Sequence, residues 1–544
     1  MKKILPIGND DFREVREDKS YYYVDKSLLI KDFITYRNKV ALITRPRRFG
    51  KTLNMSMIRE FFDITKDSKS LFEGLSIMDT EHAGLINSKP VIYFTFKDCK
   101  GRDSEELKSR LTNELFKEYR RYSNIFGEAV DKKDLYYVDF YQILQSMVDK
   151  TTTWISLNSA LSHLLTAVAT FFGKNPILLI DEYDQPILSS YENKYRMELK
   201  DFFAVFYGSA LKGNEYLSQA LLTGIQRVAK ESIFSVLNNI SVYTVLDEAY
   251  SPYFGLNAEE TKKLLEYYGL QLNEDVKNQY DGYLFGSIHM YNPWSILNYA
   301  DRKVLLPYWI NTSTNYLVKE SLNEADVSFK KKFNQLIINE SVNVSISLET
   351  SFIELKNNST LWGLLVNSGY ITIEERIESE YAKVRIPNNE VKSEFQRIVA
   401  EQANIQNDDL KEMLNALIHM EMEDFLSIYR KIVLSCTSYF DAKENAYHML
   451  FLGMCITLKG IYKITSNIES GHGRSDITME SLSKDRFHVI IEFKQGEDIH
   501  KLKKEALNQI MENQYYAGLT GQVLLVGIAH NIKYCEMEYK MIQL

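Results

Sequence analysis

The sequence predicts an α/β protein in which a mostly helical region joins two separate α/β domains. The 544 residues are too many for one hydrophobic core, so we expect two or three domains. Between residues 39 and 229, nearly all-apolar strand candidates alternate with helical stretches, which is typical of a parallel sheet covered on both faces. From residue 441 the order becomes helix, strand, hairpin, helix and strand, which predicts a second α/β domain.

Four short apolar runs supply the strands of the first sheet. The runs are KVALIT (39–44), PVIYFTF (90–96), PILLIDEYDQP (176–186) and QALLTGIQRVA (219–229). Residues 52–62 have apolar side chains at helical spacing, and the stretch ALSHLLTAVATFF also predicts a helix. Strands that alternate with helices in this way indicate a parallel sheet.

The later sequence divides the chain into further expected domains. NAEETKKLLEYYGL has a helix start at Asn257, followed by acids. STLWGLLVNSGYITIEE predicts a helix, a turn and a strand, and YAKVRIP predicts the partner strand. We therefore expect a first α/β domain over 1–245, a helical and winged-helix-like region over 246–400, a helical linker over 401–434 and a second α/β domain over 435–544.

Composition excludes several classes of protein. No stretch approaches the roughly 20 apolar residues that cross a bilayer, and the start shows no secretory signal, so we expect no membrane association. The four cysteines form no Cys-x-x-Cys pair, which argues against a zinc site or a disulfide framework and fits the cytoplasm. The net charge of −8 argues against a broad basic surface for nucleic acid, although a local patch remains compatible with it.

The stretch TRPRRFGKTLNMS (44–56) follows the first apolar run and matches most of the phosphate-loop pattern. Gly50 permits close approach of the backbone, Lys51 supplies charge to the β- and γ-phosphates, and Thr52 supplies a hydroxyl for Mg²⁺. Arg48 and Phe49 complete the predicted nucleotide-binding loop. The first glycine of the pattern is replaced by Arg45, which removes conformational freedom at the loop entry but none of these three groups. The alternative is a basic surface turn between a strand and a helix.

A second acidic element supports a nucleotide site. The strand ILLI (177–180) ends in Asp181, expected to bind Mg²⁺, and Glu182, expected to orient or deprotonate water. After the next strand, Thr223 is expected to sense the γ-phosphate and Arg227 to neutralise its charge. A surface ion pair is the alternative for Arg227. Basic loop residues such as Arg48 are equally compatible with a solvated position.

Several strings together resemble one known family. They are YYYVDKSLLIKDFI, LITRPRRFGKTLNMSMIREFFD, LLIDEYDQPI, FGLNAEETKKLLEYYG and YDGYLFGSIHMYNPWSIL. In this order they resemble the predicted AAA-ATPase-like family, which is similar to the archaeal ATPases and the AAA+/STAND signalling ATPases. The likeness covers roughly residues 3–400 and implies a P-loop ATPase fold with ATP and Mg²⁺ at Lys51, Thr52, Asp181 and Glu182. An arginine at the position of Arg45 is normal in that family.

A second cluster of charged residues follows residue 473. The sequence GRSDITMESLSKDRFHVIIEFK predicts a hairpin with strands at about 474–479 and 487–494. Glu492 and Lys494 share one strand face, and Asp476 lies on the neighbouring strand within reach of the same point. Two carboxylates can hold Mg²⁺, while the lysine orients or activates the attacking water, which is equipment for phosphodiester hydrolysis. The alternative is an exposed strand with an ordinary Glu–Lys pair.

GRSDI, IIEFK and ALNQIMENQYY resemble the PD-(D/E)XK nuclease-like domain that often follows this ATPase-like module. The likeness spans about 435–540 and implies a restriction-endonuclease-like fold with Asp476, Glu492 and Lys494 as the catalytic core. It also implies Glu444 as a helix-borne ligand of the metal or of a water, and Gln509 as a supporting residue. Ser475 replaces the usual proline. His448, His472, Gly473 and Arg474 flank the cluster, and HKLKK (500–504) is a small basic patch that either contacts phosphates or is solvated.

The preferred interpretation is a nuclease that uses Mg²⁺ and is gated by ATP binding or hydrolysis, with nucleic acid, DNA before RNA, as its partner and a homo-oligomer as a possible assembly. The alternative is an ATP-binding switch or interaction protein whose nuclease fold binds nucleic acid or a partner without cutting. A motor on nucleic acid has less support, because the sequence holds no helicase-type string of motifs.

Overall fold

The structure is a computed structural model. The chain forms two compact units. The first unit comprises residues 1–326 and 343–390, and the second comprises 327–342 and 391–544. Within these limits the structure describes residues 2–193, 195–228, 239–309, 322, 325–339, 341–350, 357–378, 380–402, 407–435, 451, 458, 461–470, 473–483, 485–531 and 534–544.

Eighteen α-helices fall in the described residues. In chain order they are α1 Phe12–Glu17, α2 Leu28–Tyr36, α3 Lys51–Phe62, α4 Ser104–Phe126, α5 Val138–Val148, α6 Trp154–Leu157, α7 Ala160–Phe172, α8 Gln185–Glu192, α9 Arg196–Leu211, α10 Ala258–Tyr267, α11 Glu274–Tyr280, α12 Pro293–Arg302, α13 Val327–Asn339, α14 Asn358–Asn367, α15 Asn389–Gln402, α16 Asn407–Ile418, α17 Met422–Ser435 and α18 Ile499–Glu512.

Eighteen strands accompany them in the described part of the chain. They are β1 Val40–Thr44, β2 Val91–Thr95, β3 Ile177–Asp181, β4 Gln219–Gly224, β5 Arg227–Val228, β6 Ile240–Tyr243, β7 Leu256–Asn257, β8 Tyr283–Phe285, β9 Ile288–Tyr291, β10 Ser341–Ser345, β11 Glu349–Thr350, β12 Thr372–Glu378, β13 Tyr381–Arg385, β14 Tyr462–Ser470, β15 Gly473–Ser481, β16 His488–Gln495, β17 Gln522–Asn531 and β18 Tyr534–Gln543.

A five-stranded parallel sheet forms the centre of the first unit, in the order β2-β3-β4-β1-β6. This confirms the predicted parallel α/β fold, and the four predicted strands are β1 to β4. Their apolar side chains are almost fully buried, as expected for strands covered on both faces. The fifth strand, β6, was not predicted. It is a half-buried edge strand, so its short sequence ISVY lacks the continuous apolar pattern of the others.

The register of this sheet brings two polar residues, Asp181 and Thr223, to one edge. Ile43 pairs with Thr223, Ile180 pairs with Leu222, and Asp181 is the last residue of β3. Because parallel strands all end at the same edge of the sheet, the loop after β1 lies beside Asp181 and Thr223. The sheet order therefore creates the first candidate site at its carboxyl edge.

A helical region follows the sheet within the same unit over residues 246–326 and 343–390, whereas residues 327–342 and 391–400 belong to the second unit. The start of α10 carries a capping box, in which the Asn257 side chain accepts from the Glu260 N–H and the Glu260 carboxylate accepts from the Asn257 N–H. The helix α14 and the antiparallel pair β12–β13 reproduce the predicted helix and hairpin. Helices α10 to α12 bury a common apolar core with Leu5 and Tyr291.

A second five-stranded sheet, in the order β14-β15-β16-β17-β18, forms the second unit. The predicted hairpin is present as β15 and β16, while α18 connects β16 to its parallel neighbour β17. Helices α16 and α17 cover the span predicted as a linker, and they contribute buried side chains to the core of this sheet. The last strand, β18, was not predicted, although YCEMEYKMIQ alternates apolar residues with charged ones; it runs at the sheet edge and is only partly buried.

Within the described part of the chain, no helix combines the length and the apolar character that crossing a bilayer would require.

Candidate functional sites

The loop between β1 and α3 carries the predicted phosphate-binding residues. Gly50 takes a φ of 81°, in the left-handed region that glycine tolerates, and α3 begins at the next residue. The turn leaves the N–H groups at the start of α3 available to an anion. Lys51 is buried, and its ammonium donates to the carbonyls of Arg45 and Pro46 at 2.9 Å each. The lysine is thereby held against the loop.

Three carboxylates lie near this ammonium. Burial lowers the pKa of Lys51, and the negative charges of Glu182, Asp181 and Asp184 oppose that shift. An ammonium buried among carboxylates keeps its charge more readily than one buried alone. The arrangement therefore concentrates one positive and several negative charges at the carboxyl edge of the sheet.

Asp181 joins both predicted threonines. Its Oδ2 accepts a hydrogen bond from Thr52 Oγ1 at 2.7 Å, and its Oδ1 accepts one from Thr223 Oγ1 at 2.5 Å. Burial, and then the charge of Glu182, raise the pKa of Asp181. The Thr52 hydroxyl and the Asp181 carboxylate converge, and oxygens of these kinds are the ligands that Mg²⁺ prefers. The residues present therefore fit a magnesium ion beside the phosphate loop.

Glu182 follows Asp181 with a left-handed backbone, at a φ of 52°. This conformation is uncommon for a residue other than glycine, and such strain persists where the surroundings fix it. The carboxylate is half-buried, and it is the negative charge with the largest effect on Lys51. Glu182 thus lies beside Asp181 at the carboxyl edge of the sheet, where its charge acts on Lys51.

Arg45 and Phe49 point away from the helix N-terminus. Arg45 is fully buried, and its guanidinium donates to the carbonyls of Thr44 and Tyr243 at 2.8 and 3.1 Å. Burial lowers its pKa to about 9, against an opposing effect of Asp247. The side chain at the missing-glycine position is therefore part of the interior. Phe49 is also buried, so only its backbone is available to a phosphate.

The remaining predicted loop and strand residues occupy different surroundings. Arg48 is exposed, and its guanidinium lies 4.2 Å from the centre of the Trp294 ring. Arg227 lies on β5, which pairs with β11, and it lines a cleft of about 460 Å³ together with Asp247 and Arg376. The structure thus brings Thr223 to Asp181, whereas Arg227 contributes to this cleft.

Asp184 is a residue that sequence reasoning missed. Its Oδ2 accepts from the N–H groups of Ile225 and Gln226 at 2.9 and 2.7 Å, just beyond the end of β4. Burial raises its pKa to about 6, although these backbone hydrogen bonds lower it. Asp184 therefore fixes the chain that follows Thr223. The only signal in the sequence was the second aspartate of DEYDQ, which no spacing rule distinguishes.

In the second unit, Asp476, Glu492 and Lys494 come together as predicted. The Asp476 N–H donates to Glu492 Oε2 at 3.3 Å, and Asp476 Oδ2 accepts from the Phe493 N–H at 2.8 Å. Lys494 Nζ lies 3.5 Å from Glu492 Oε1. Ile491 and Phe493 face the opposite side, where both are buried in the core. The alternation along β16 therefore aims the carboxylate and the ammonium at one point.

Glu492 is almost fully buried, with 3% of its surface exposed. Burial, and then the charge of Asp476, raise its pKa to about 7, while Lys494 lowers it. Gln509 on α18 donates to Glu492 Oε1 at 2.6 Å, and its amide also donates to the Tyr515 hydroxyl at 3.0 Å. Gln509, which was predicted to support the cluster, thus contacts the Glu492 carboxylate directly.

Other residues predicted around this cluster are described only in part. Glu444, His448 and His472 lie outside the described residues, as does the side chain of Arg474. Among the residues that are described, no group of three or more His, Cys, Asp or Glu side chains is placed to hold a metal ion. A metal at this cluster would therefore rest on Asp476 and Glu492 and on any ligand beyond the described part of the chain.

The basic patch HKLKK at the start of α18 is partly neutralised within the second unit. The carboxylate of Glu536 lies 2.7 Å from His500 Nδ1 and 2.9 Å from Lys503 Nζ. Lys501 Nζ lies 3.2 Å from Glu505. These ion pairs favour the solvated interpretation for at least part of the patch.

Two separate regions of the chain match known protein families. Residues 6–234 match the family described as "Predicted AAA-ATPase", and residues 442–538 match the family described as "PD-(D/E)XK nuclease superfamily". A similar protein from Azotobacter chroococcum mcd 1 is described as "Uncharacterized protein in vnfD 5'region". It is 27% identical over 398 residues, which cover 72% of this chain and 69% of that protein.

Each family match encloses one of the two residue clusters. Lys51, Thr52, Asp181 and Thr223 lie in the first matched range, and the Asp476 cluster lies in the second. The chain therefore carries a predicted AAA-ATPase domain and, later in its sequence, a domain of the PD-(D/E)XK nuclease superfamily.

Proposed function

We propose that this protein is a Mg²⁺-dependent nuclease that is regulated by a nucleotide. The first domain would bind ATP, and ATP binding or hydrolysis would gate phosphodiester hydrolysis by the second. The family matches support the ATPase-related and nuclease-related roles. The coupling between them and the choice of metal are our own extension.

For the first domain, the proposal rests on the hydrogen bonds around Asp181. Lys51 would bind the β- and γ-phosphates, with the start of α3 facing the same anion. Thr52 and Asp181 would hold Mg²⁺, which when bound neutralises charge on the phosphates. Glu182 would orient the attacking water, and Thr223 would sense the γ-phosphate, a role supported by its hydrogen bond to Asp181.

For the second domain, one observation carries the proposal: Asp476, Lys494 and Gln509 all converge on the buried carboxylate of Glu492. An exposed strand with an ordinary ion pair would not bury that carboxylate or surround it with donors. Asp476 and Glu492 would hold a divalent metal, which when bound supplies the charge that stabilises a phosphodiester transition state. Lys494 would orient the water and stabilise negative charge.

The proposed partner is nucleic acid, with DNA as the first substrate to test. We further propose a cytoplasmic setting, in keeping with the scattered cysteines, and assembly into a homo-oligomer. In ATPases of this general kind, an arginine from a neighbouring copy often completes the nucleotide site. Lys51, Thr52 and Asp181 supply one side of such a site, and the proposal leaves the arginine to a second copy.

The deciding experiment is cleavage of labelled single- and double-stranded DNA and RNA, with Mg²⁺ or Mn²⁺ and with or without ATP. We expect Lys494→Ala to abolish cleavage, and Lys51→Ala to remove its dependence on ATP. Lys463→Ala is the matched control, because Lys463 is exposed on the same sheet and pairs with Glu480. Cleavage that survives Lys494→Ala would show that this cluster does not cut.

The second candidate function is an ATP-binding switch whose nuclease fold binds nucleic acid or a partner without cutting. It is supported by the net charge of −8, which argues against a broad basic surface for nucleic acid. ATP binding without metal-dependent cleavage of any substrate, together with nucleic-acid binding that weakens on adding salt, would select it.

A further inference from the structure

The side of the phosphate loop that faces away from α3 is held by residues far along the chain. Within the first unit, each residue from Arg45 to Phe49 has such a contact. The Arg45 side chain contacts Tyr243 and the ring of Phe285, and Pro46 lies close to Gly369. The Arg47 carbonyl accepts hydrogen bonds from Asn292 and Trp309. The Arg48 guanidinium lies over the Trp294 ring, and the Phe49 ring packs against Tyr283 and Phe285. The path of the loop is therefore set by tertiary contacts as well as by its own sequence.

The Arg47 carbonyl is the most directly held group. Trp309 Nε1 donates to it at 3.2 Å, and Asn292 Nδ2 donates to it at 3.4 Å. Asn292 is fully buried and Trp309 is 1% exposed, so water does not compete freely for these bonds. Two side-chain donors on one carbonyl restrict the rotation of the peptide group that follows it.

Glu390 connects the two donors. Its carboxylate accepts from the Trp309 N–H at 2.7 Å and from Ser295 Oγ at 2.8 Å, and it is fully buried. Ser295 lies in the first turn of α12, and Asn292 is the N-cap of that helix. We name Asn292, Trp309 and Glu390 the Arg47 clamp. One buried carboxylate thus fixes the elements that carry both donors.

The backbone after Arg47 needs such support. Arg48 takes a φ of 68° and Gly50 a φ of 81°, so two left-handed residues occur within three positions. A left-handed backbone is costly for arginine, which has a Cβ. The loop binds phosphate well only if its N–H groups are already aimed at the anion, because ordering them on binding would reduce the affinity. Holding this strained path is therefore a requirement of the site.

We propose that the Arg47 clamp positions the phosphate loop, with Trp309 and Asn292 as positioning residues that set nucleotide affinity through the Arg47 carbonyl. This inference rests on the proposed function, in which Lys51 and its loop bind the phosphates of ATP. It adds that the helical region after the sheet supports the phosphate loop through contacts with residues 47–49. The clamp acts on the phosphates of any ligand that the loop binds, and not on the base.

The test uses the full chain with the Trp309→Phe variant, which keeps an aromatic ring and removes the indole N–H. Trp362→Phe is the matched control, since Trp362 is a buried tryptophan on α14 of the same unit. The Kd for Mg²⁺-ATP is measured by calorimetry, and inorganic tripolyphosphate is measured by competition with ATP. Urea midpoints are recorded for every variant.

We expect Trp309→Phe to weaken ATP and tripolyphosphate by the same factor of about ten, which corresponds to about 1.4 kcal/mol. If ATP is hydrolysed, KM should rise by that factor while kcat changes by less than about twofold. Trp362→Phe should leave both ligands unaffected. Unchanged affinity in Trp309→Phe, or an equal loss in both tryptophan variants, would overturn the inference.

A second variant guards against poor folding of Trp309→Phe. Asn292→Ser keeps a side chain that caps α12 but is too short to donate to Arg47, so it should weaken phosphate ligands in the same way. Normal affinity in this variant would also overturn the inference. If the wild type itself binds neither ATP nor tripolyphosphate, the proposed nucleotide site fails and the clamp has no ligand to position. Wild-type binding with unaffected variants refutes the clamp alone.

Discussion

Replacing Glu390 by glutamine tests the electrostatics of the Arg47 clamp through the stability of the protein. Burial raises the pKa of Glu390 to about 7, against hydrogen bonds from Trp309, Ser295 and Tyr308 that lower it. The ordinary pKa is 4.5. Between these two values the folded protein binds more protons than the unfolded chain, so the free energy of unfolding falls as pH rises from about 4.5 to about 7. Above about pH 7, ionisation of the buried Glu390 carboxyl lowers the free energy of unfolding by about 3 kcal/mol in total.

Glutamine is neutral at every pH and retains an oxygen for the Trp309 N–H. At pH 5, where folded Glu390 is protonated, Glu390→Gln should change the free energy of unfolding by less than about 1 kcal/mol. At pH 8 the variant should be more stable than the wild type by about 2–3 kcal/mol, because it avoids a buried charge. Urea unfolding followed by tryptophan fluorescence at pH 5, 6, 7 and 8 gives these values.

Glu73→Gln, at an exposed position of the same unit, is the control. It should leave the difference between variant and wild type independent of pH. If Glu390→Gln shows the same stability difference at pH 5 and at pH 8, the carboxylate is ionised throughout and the argument from burial is wrong. A variant less stable at pH 8 than at pH 5, relative to the wild type, would also refute the reasoning.

Three further changes have definite expected outcomes. Gln509→Leu removes the 2.6 Å hydrogen bond to Glu492, so metal-dependent cleavage should fall about tenfold, and an unchanged cleavage rate would exclude an orienting role. Gly473→Ala would place a Cβ 3.1 Å from the Tyr515 ring, so it should lower the free energy of unfolding by about 1–2 kcal/mol in urea titrations. An unchanged free energy of unfolding would show that the Tyr515 ring moves to make room for the methyl group. Asp184→Ala leaves two backbone N–H groups without their acceptor, so thermal and urea unfolding should show a loss of about 2–4 kcal/mol, in contrast to a surface substitution.

The strands that cross the middle of each sheet were predictable, because burial on both faces requires nearly continuous apolar sequence. The edge strands β6 and β18 were not predicted, since each is partly exposed and lacks the continuous apolar run that identified the central strands; the alternation of apolar and charged residues in β18 was a signal that was missed. Lys51, Thr52 and Asp181 were found because short spacings place them at the ends of predictable elements. The same reasoning located the Glu492–Lys494 pair, whose two-residue spacing assigns both side chains to one face.

Contacts between distant positions escaped the sequence reasoning. Asn292 and Trp309 reach Arg47 across 245 and 262 residues, and no local pattern marks them as partners of the loop. Arg45 was read as a substitution for glycine at the loop entry, whereas its side chain turns inward and binds main-chain carbonyls. The placement of Arg227 beside β11 likewise depends on a strand pairing across more than a hundred residues.

The inward-facing Arg45 has a consequence for how the ATPase-like region can be divided. A fragment that stops at residue 245 would retain Lys51, Thr52 and Asp181, yet it would lack Phe254 and Phe285, whose rings face the buried guanidinium. That cation and the buried ring of Phe49, which packs against Phe285, would then meet water. The phosphate loop and the helical region after it thus share one set of buried contacts, and we expect the loop to keep its shape only in a fragment that contains both.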